Sequence, residues 1–211
     1  MVVKAIQPDQ LMAPVFILKD YQTMIIAMDK YVKKILEANV YEVAIQTPLE
    51  QAAGLSQRLG AEVLLKREDM QPVFSFKIRG AYNRIRSLDE KQRAKGVITA
   101  SAGNHAQGVA LAASRLGCDA HIVMGENTPT IKINAVRAFG GHVILHGDSY
   151  DDAALHAKDL AEKKGYTYVH PFDDEEVIAG QGTIGMEILR QHDGSLDAIY
   201  VPVGGGGLIG G

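Results

Sequence analysis

An α/β fold built on parallel sheet is what this sequence predicts, and three observations predict it. Short β-branched runs alternate with helix-period stretches from about Val63 onward. Glycines stand just past the helical stretches at Gly140-Gly141 and Gly165. Two of the strands run straight into Gly-rich turns. Strands that alternate with helices imply parallel pairing through right-handed crossovers. A glycine just beyond a helix suits a left-handed C-cap.

The elements follow in order. An amphipathic stretch over about Tyr21 to Glu37 carries Met24, Ile25, Met28, Tyr31, Val32 and Ile35 on one side and can end at Asn39, before a loop through Thr47-Pro48-Leu49. A strand is expected near Val63–Leu65 and a helix from about Ser75. The alternation then continues with strand Val97–Ala100, helix Asn104–Leu116, strand Ala120–Met124, helix Thr130–Phe139, strand His142–His146, helix Tyr150–Lys164 and strand Thr167–Val169. A last apolar strand, Ala198 to Val203, leads into Gly204-Gly205-Gly206-Gly207-Leu208. No repeat and no linker rich in Pro or Ser interrupts the series. The acidic run Asp173-Asp174-Glu175-Glu176 precedes a further helix and reads as charge favouring its amino end.

Three motifs carry chemistry. Ser75-Phe76-Lys77-Ile78-Arg79-Gly80-Ala81 places a lysine at a helix start on an apolar rise. Burial and the helix amino end both disfavour the ammonium form, which is what an amine nucleophile needs. A lysine that snorkels from the helix into water is the alternative. Val97 to Gly108 reads as strand, small-residue turn and helix, and its turn Ser101-Ala102-Gly103-Asn104-His105 aims free backbone N–H groups at a potential anion. The four glycines 204–207 allow the backbone itself to close around a phosphate.

Together these motifs resemble the pyridoxal-phosphate enzymes of the tryptophan-synthase-β-like group, fold type II, and their wording is similar to the threonine dehydratase family. The resemblance runs from about Asp29 to Gly211, and includes Lys66-Arg67-Glu68-Asp69-Met70-Gln71-Pro72 and Val177-Ile178-Ala179-Gly180-Gln181-Gly182-Thr183. Residues 1 to about 28 carry no motif of it.

The resemblance implies two doubly wound parallel-sheet domains. Residues 1–68 would hold an N-terminal extension, a helix and the first part of the large cofactor domain. Residues 69–172 would form the small mobile domain. Residues 173–211 would return into the large domain, which is incomplete in this chain. Pyridoxal 5'-phosphate is the implied cofactor, joined to Lys77, which would also remove the substrate α-proton. Phe76, Asn104, Gly204, Gly205, Gly206, Gly207 and Leu208 would bind the cofactor, and Ser101, Ala102, Gly103, Asn104 and His105 the substrate carboxylate. From the residues alone, Phe76 reads equally as ordinary core.

The implied reaction converts L-threonine to 2-oxobutanoate and ammonia, the first step of isoleucine biosynthesis. Sulfhydrylases and threonine synthases generally place an Asp two residues after the lysine, where this chain has Arg79. L-Serine dehydration and serine racemisation stay open, because one substrate methyl group is worth only about 1–3 kcal/mol. A chain ending one turn into the helix after the glycines is expected to be a fragment, inactive by itself, or a non-catalytic binding module. Gly205 to Gly210 also satisfies G-x-G-x-x-G after a strand, the pattern of a dinucleotide-binding protein.

Composition bounds these readings. With 211 residues, 46% hydrophobic, the chain can bury a globular core. A net charge of −3 with scattered basic residues argues against a nucleic-acid partner. The single cysteine, Cys118, fits a reducing compartment and reads as packed filler. His121, His142, His146, His156 and His170 lack metal-ligand spacing, so no metal is expected. No apolar run reaches the ~18 residues of a membrane span. The expected partner is therefore a small amino acid, with no nucleic acid and no membrane, in a cytoplasmic enzyme that forms a homo-oligomer at full length.

Overall fold

The computed structural model describes residues 2–4 and 30–211. The part of the amphipathic stretch before Lys30 lies outside the described residues. Residues 30–37 are helical, as expected, and form α1.

Four parallel strands make one sheet, in the order β6-β5-β4-β7: β4 Val97–Ala100, β5 Ala120–Met124, β6 His142–Leu145 and β7 Thr167–Tyr168. Register places Val97 opposite Ala120 and Thr167, and His121 opposite His142. Every residue of β4 is buried, as a central strand covered on both faces requires. Alternation splits the core accordingly. Val97, Ala120, Ile122 and Met124 face the side of α5 (Asn104–Arg115) and α6 (Thr130–Ala138), whereas Ile98, Ala100 and Val123 face Ala153 and Ala157 of α7 (Tyr150–Lys164). Gly140 and Gly165 adopt φ of 88° and 74°, the left-handed turn expected past α6 and α7. Cys118 is buried, and burial pushes its thiol up, as suits a packed side chain.

The second sheet has the order β2-β3-β1-β8, with β1 Val2–Lys4, β2 Leu49–Gln51, β3 Val63–Lys66 and β8 Ala198–Tyr200. Its pairings among the described residues are all antiparallel. Parallel pairing therefore belongs to the first sheet. In the second, β3 and β8 run alongside each other only through the opposed strand β1 between them. Strand β8 stops at Tyr200, three residues short of the expected end, where Pro202 has no N–H to donate.

Sequence periodicity missed β2, α2 (Ala53–Leu59) and α4 (Glu90–Lys95). The two helices bury no residue, so neither has an apolar stripe. The signal for α4 was its capping box, Asp89 with Gln92. A 3₁₀ turn, Glu68–Met70, links β3 to the loop before α3 (Lys77–Arg86).

Helix α3 lies between α5 and α8 (Glu175–Gln191) and is buried on both sides. Asp174 caps α8 through the amides of Glu176 and Val177, which confirms the helix-start reading of the acidic run. The α3–α8 crossing is made at glycine. A Cβ on Gly80 would stand 2.5 Å from Gln181 Nε2 and 2.7 Å from the Val177 carbonyl. Replacing Gly80 with alanine is accordingly expected to destabilise the fold by about 1–3 kcal/mol, the usual cost of overpacking. Urea unfolding measures it, and an unchanged midpoint would show that the helices can part freely.

Candidate active site

Lys77 is the first residue of α3, and its amide is capped by Ser75 Oγ at 3.3 Å. The side chain donates to the Pro171 carbonyl at 2.6 Å, and its Nζ stands 5.6 Å from the centre of the Phe76 ring. Among the described residues it has no carboxylate partner. Burial therefore pushes its pKa below that of an ordinary lysine, with nothing to offset it. This is the environment expected for an amine that must be available in neutral form.

A cavity of about 280 Å³ opens beside it, lined by Phe76, Lys77, Phe172 and the stretch 202–208. The glycine loop follows β8 and closes with a single helical turn, Gly210 N–H to the Gly206 carbonyl at 2.9 Å. Phe172 explains two of the four glycines: a Cβ on Gly205 would fall on its ring, and one on Gly207 would lie 2.9 Å from its Cα. The amides of Gly204, Gly205, Gly206 and Gly207 donate to no protein acceptor among the described residues. Free N–H groups in a concave loop suit a phosphate. A desolvated amine across the same cavity suits an aldehyde. A group bearing both fits what stands here.

The second Gly-rich turn approaches from α5. A Cβ on Gly108 would sit 3.2 Å from the Lys77 carbonyl, so the two helices touch at the lysine itself. Asn104, the first residue of α5, is exposed and free of side-chain hydrogen bonds to the described residues, while Gly103 N–H is held by Ser101 Oγ at 3.2 Å. His105 turns inward. Its Nε2 lies 3.1 Å from the Val169 carbonyl and donates to it, which leaves Nδ1 buried without a partner among the described residues. Burial drops its pKa to about 3, so the ring stays neutral beside Lys77. Ser101 and Ala102 line a separate cavity of about 120 Å³ with Asn127 and Ser149. Of the sequence-derived candidates, Phe76, Lys77 and Gly204–Leu208 thus share one cavity. Gly103, Asn104 and His105 sit at the α5 end near the lysine and line neither cavity.

Two features escaped sequence reasoning. Pro171 and Phe172 complete the lysine pocket, and no local pattern announced them. Beneath α3 lies a buried ion cluster. The Arg79 guanidinium grips Glu68 at 2.8 Å through Nε and through Nη2, Glu187 at 2.6 Å through Nη1 and 3.0 Å through Nη2, and Thr183 at 3.1 Å. Lys66 reaches the same Glu187 at 2.5 Å and the Thr47 carbonyl at 2.6 Å. Burial holds the Lys66 ammonium below its ordinary pKa despite these partners. The signal for Arg79 and Glu187 was a charge embedded in an apolar stretch, whereas Lys66 and Glu68 stand in a run of charged residues. Among the described residues, no group of three His, Cys, Asp or Glu could hold a metal ion, and no helix is long and apolar enough to cross a membrane.

Comparison with known proteins agrees with this geometry. The family model described as pyridoxal-phosphate dependent enzyme matches residues 40–211. The biosynthetic chloroplastic threonine dehydratase of Arabidopsis thaliana is 61% identical over 182 residues, 86% of this chain and 31% of that protein. The biosynthetic L-threonine dehydratase of Burkholderia multivorans is 60% identical over 188 residues, 88% of this chain and 37% of that protein. This chain thus spans about a third of the length of the curated relatives it matches. Among solved structures, the processed threonine deaminase isoform 2 of Solanum lycopersicum superposes with a TM-score of 0.86 at 53% identity, over 97% of this chain and 55% of that one. Maize serine racemase follows with 0.81 at 39%, over 84% of this chain and 54% of that one.

Proposed function

Because the chain belongs to the family of pyridoxal-phosphate dependent enzymes, we propose that the complete protein carrying it converts L-threonine to 2-oxobutanoate and ammonia, in the biosynthesis of isoleucine. The observation that carries this reading is the desolvated Lys77 amine facing the free amides of Gly204–Gly207 across one cavity. A dinucleotide at Gly205–Gly210 would leave that lysine without a role.

The residues divide the work. Gly204, Gly205, Gly206, Gly207 and the turn at Leu208 hold the cofactor phosphate through backbone N–H groups. Lys77 would hold the cofactor aldehyde, and its Nζ, once released, would take the substrate α-proton; burial lowers its pKa and so favours the neutral amine that a base needs. Phe76 and Asn104 would help to hold the cofactor ring. The loop of Ser101, Ala102, Gly103 and His105 would receive the substrate carboxylate. The cofactor, when bound, supplies the sink for the α-carbon electrons. Loss of the β-hydroxyl and hydrolysis then complete the balance: one threonine gives one 2-oxobutanoate and one ammonia.

In this reading, residues 69–172 move as the small domain against a large domain made from 1–68, 173–211 and the sequence that follows in longer relatives. The complete enzyme is a homo-oligomer. It works in the cytoplasm, or in the plastid where relatives are named chloroplastic. The serine racemase likeness keeps serine as the second substrate. Keto-acid release from L-threonine and L-serine by the complete protein, with D-serine measured in parallel, is the test. Threonine turnover faster than serine turnover is expected; D-serine formation without keto acid would overturn the proposal.

A further inference from the structure

We infer that Arg79 is a positioning residue for Lys77: its buried fork onto Glu68 and Glu187 fixes the rotation of α3 about its axis and so aims the lysine into its cavity. The inference rests on the proposed role of Lys77 and extends it to a residue that touches neither cofactor nor substrate.

Three observations support it. Positions two apart on a helix point about 200° away from each other, so Lys77 and Arg79 leave α3 on nearly opposite sides. Lys77 points toward Pro171 and the glycine loop, and Arg79 points into the buried cluster. The helix neighbours of α3 contact it through glycines. Gly180 meets the backbone of Arg79 and Gly80, and Gly108 meets Lys77 and Ile78. The glycines bring the backbones close on these sides, while Ile78, Ala81, Tyr82 and Ile85 of α3 pack into the core. To that packing the polar contacts add direction. The Arg79 fork engages two carboxylates from opposite directions, one before α3 and one on α8, and a planar guanidinium accepts only a narrow range of angles. The Gly80 amide adds one bond to Gln181 Oε1 at 3.2 Å.

The cluster also encloses its charge. Arg79 and Lys66 face Glu68 and Glu187, two positive against two negative, with Arg79 wholly buried. An oily replacement could fill this space, so stability alone does not require ions there. A directional lock does require them.

The test compares Arg79→Lys, which keeps the charge but loses the fork, with Val136→Ala, a cavity in the far helix α6 where Val136 is buried. Apo protein is labelled with an amine-reactive reagent across pH, and Lys77 is followed by peptide mapping. The titratable groups facing Lys77 are His105 on α5 and His170 in the loop before α8, and both stay in place in these variants. Expected for Arg79→Lys is a Lys77 midpoint shifted up toward the ordinary lysine value of 10.5, and in the holoenzyme a kcat loss of about a hundredfold with KM nearly unchanged. Val136→Ala should move neither. If Arg79→Lys does not fold, Thr183→Val removes one acceptor of the fork and should shift the midpoint the same way by less. An unshifted midpoint in the folded fork variant, or an equal shift in Val136→Ala, overturns the inference. Because the labelling needs no turnover, an unmutated enzyme inert toward threonine would count against the proposed function, while the Lys77 profile still decides the role of Arg79.

Discussion

Lys77→Ala in the complete enzyme abolishes keto-acid release, with a loss of about four orders of magnitude, the upper range for a positioned proton-transfer group. No neighbour can take over. The nearest candidate by chemistry, Lys66, is engaged by Glu187, the Thr47 carbonyl and Gln191, and is sealed from the cavity. The same variant should lose borohydride-stable attachment of the cofactor, read by peptide mapping, while the wild-type label falls on the peptide carrying Lys77. A label found on Lys66 with Lys77 unmodified would show that the wrong lysine has been placed at the centre of the site. Stability should change little, since the lost hydrogen bond to the Pro171 carbonyl is offset by removing a partly buried amine that has no carboxylate partner among the described residues.

Glu187→Ala has the largest expected effect on folding, a loss of about 3–5 kcal/mol, because it strands Arg79 and Lys66 in the interior with one carboxylate between them. Tyr41 also loses the acceptor for its hydroxyl, now at 2.9 Å. The pH dependence has a definite sign. Burial by itself would raise the Glu187 pKa, but hydrogen bonds from Arg79 and Lys66 hold it below the ordinary value of 4.5. A depressed carboxylate stabilises the fold fully above its unfolded pKa and loses that contribution as the pH falls through the lower folded value. Wild-type protein should therefore lose stability in acid, below about pH 4.5, more steeply than Glu187→Ala, as urea midpoints at several pH values would show. Parallel pH curves would mean that the carboxylate is not ionised in the fold.

What could be read from the sequence divides along physical lines. Strands β4 and β5 and helix α7 fall on their expected residues because hydrophobic period, Gly turns and caps agree there. Helices α2 and α4 lack a buried face, so periodicity had nothing to register. The antiparallel sheet was hidden for another reason. Pairing of Val2 with Leu65 and Tyr200 is decided by tertiary contact, and no local pattern encodes which strand lies between two others. Lys77 and the glycine loop were legible as single motifs. That Phe172 forces glycine at 205 and 207, or that Arg79 meets Glu187 from a helix a hundred residues away, emerges only when the chain closes on itself.

The middle position of β1 has a consequence for the order of assembly. Strands β4, β5 and β6 find partners nearby in the chain, Val97 with Ala120 and His121 with His142, and short loops close at small entropic cost. Val2 instead waits for Tyr200. On the ribosome, where the N-terminal part emerges first, β1 emerges ahead of its partner β8. Until β8 is translated, one row of the hydrogen-bonding groups of β1 stays open. An unmated edge of this kind is what chaperones bind and what stray strands pair with. The seat of the glycine loop is thus completed only as the final residues of this segment leave the exit tunnel.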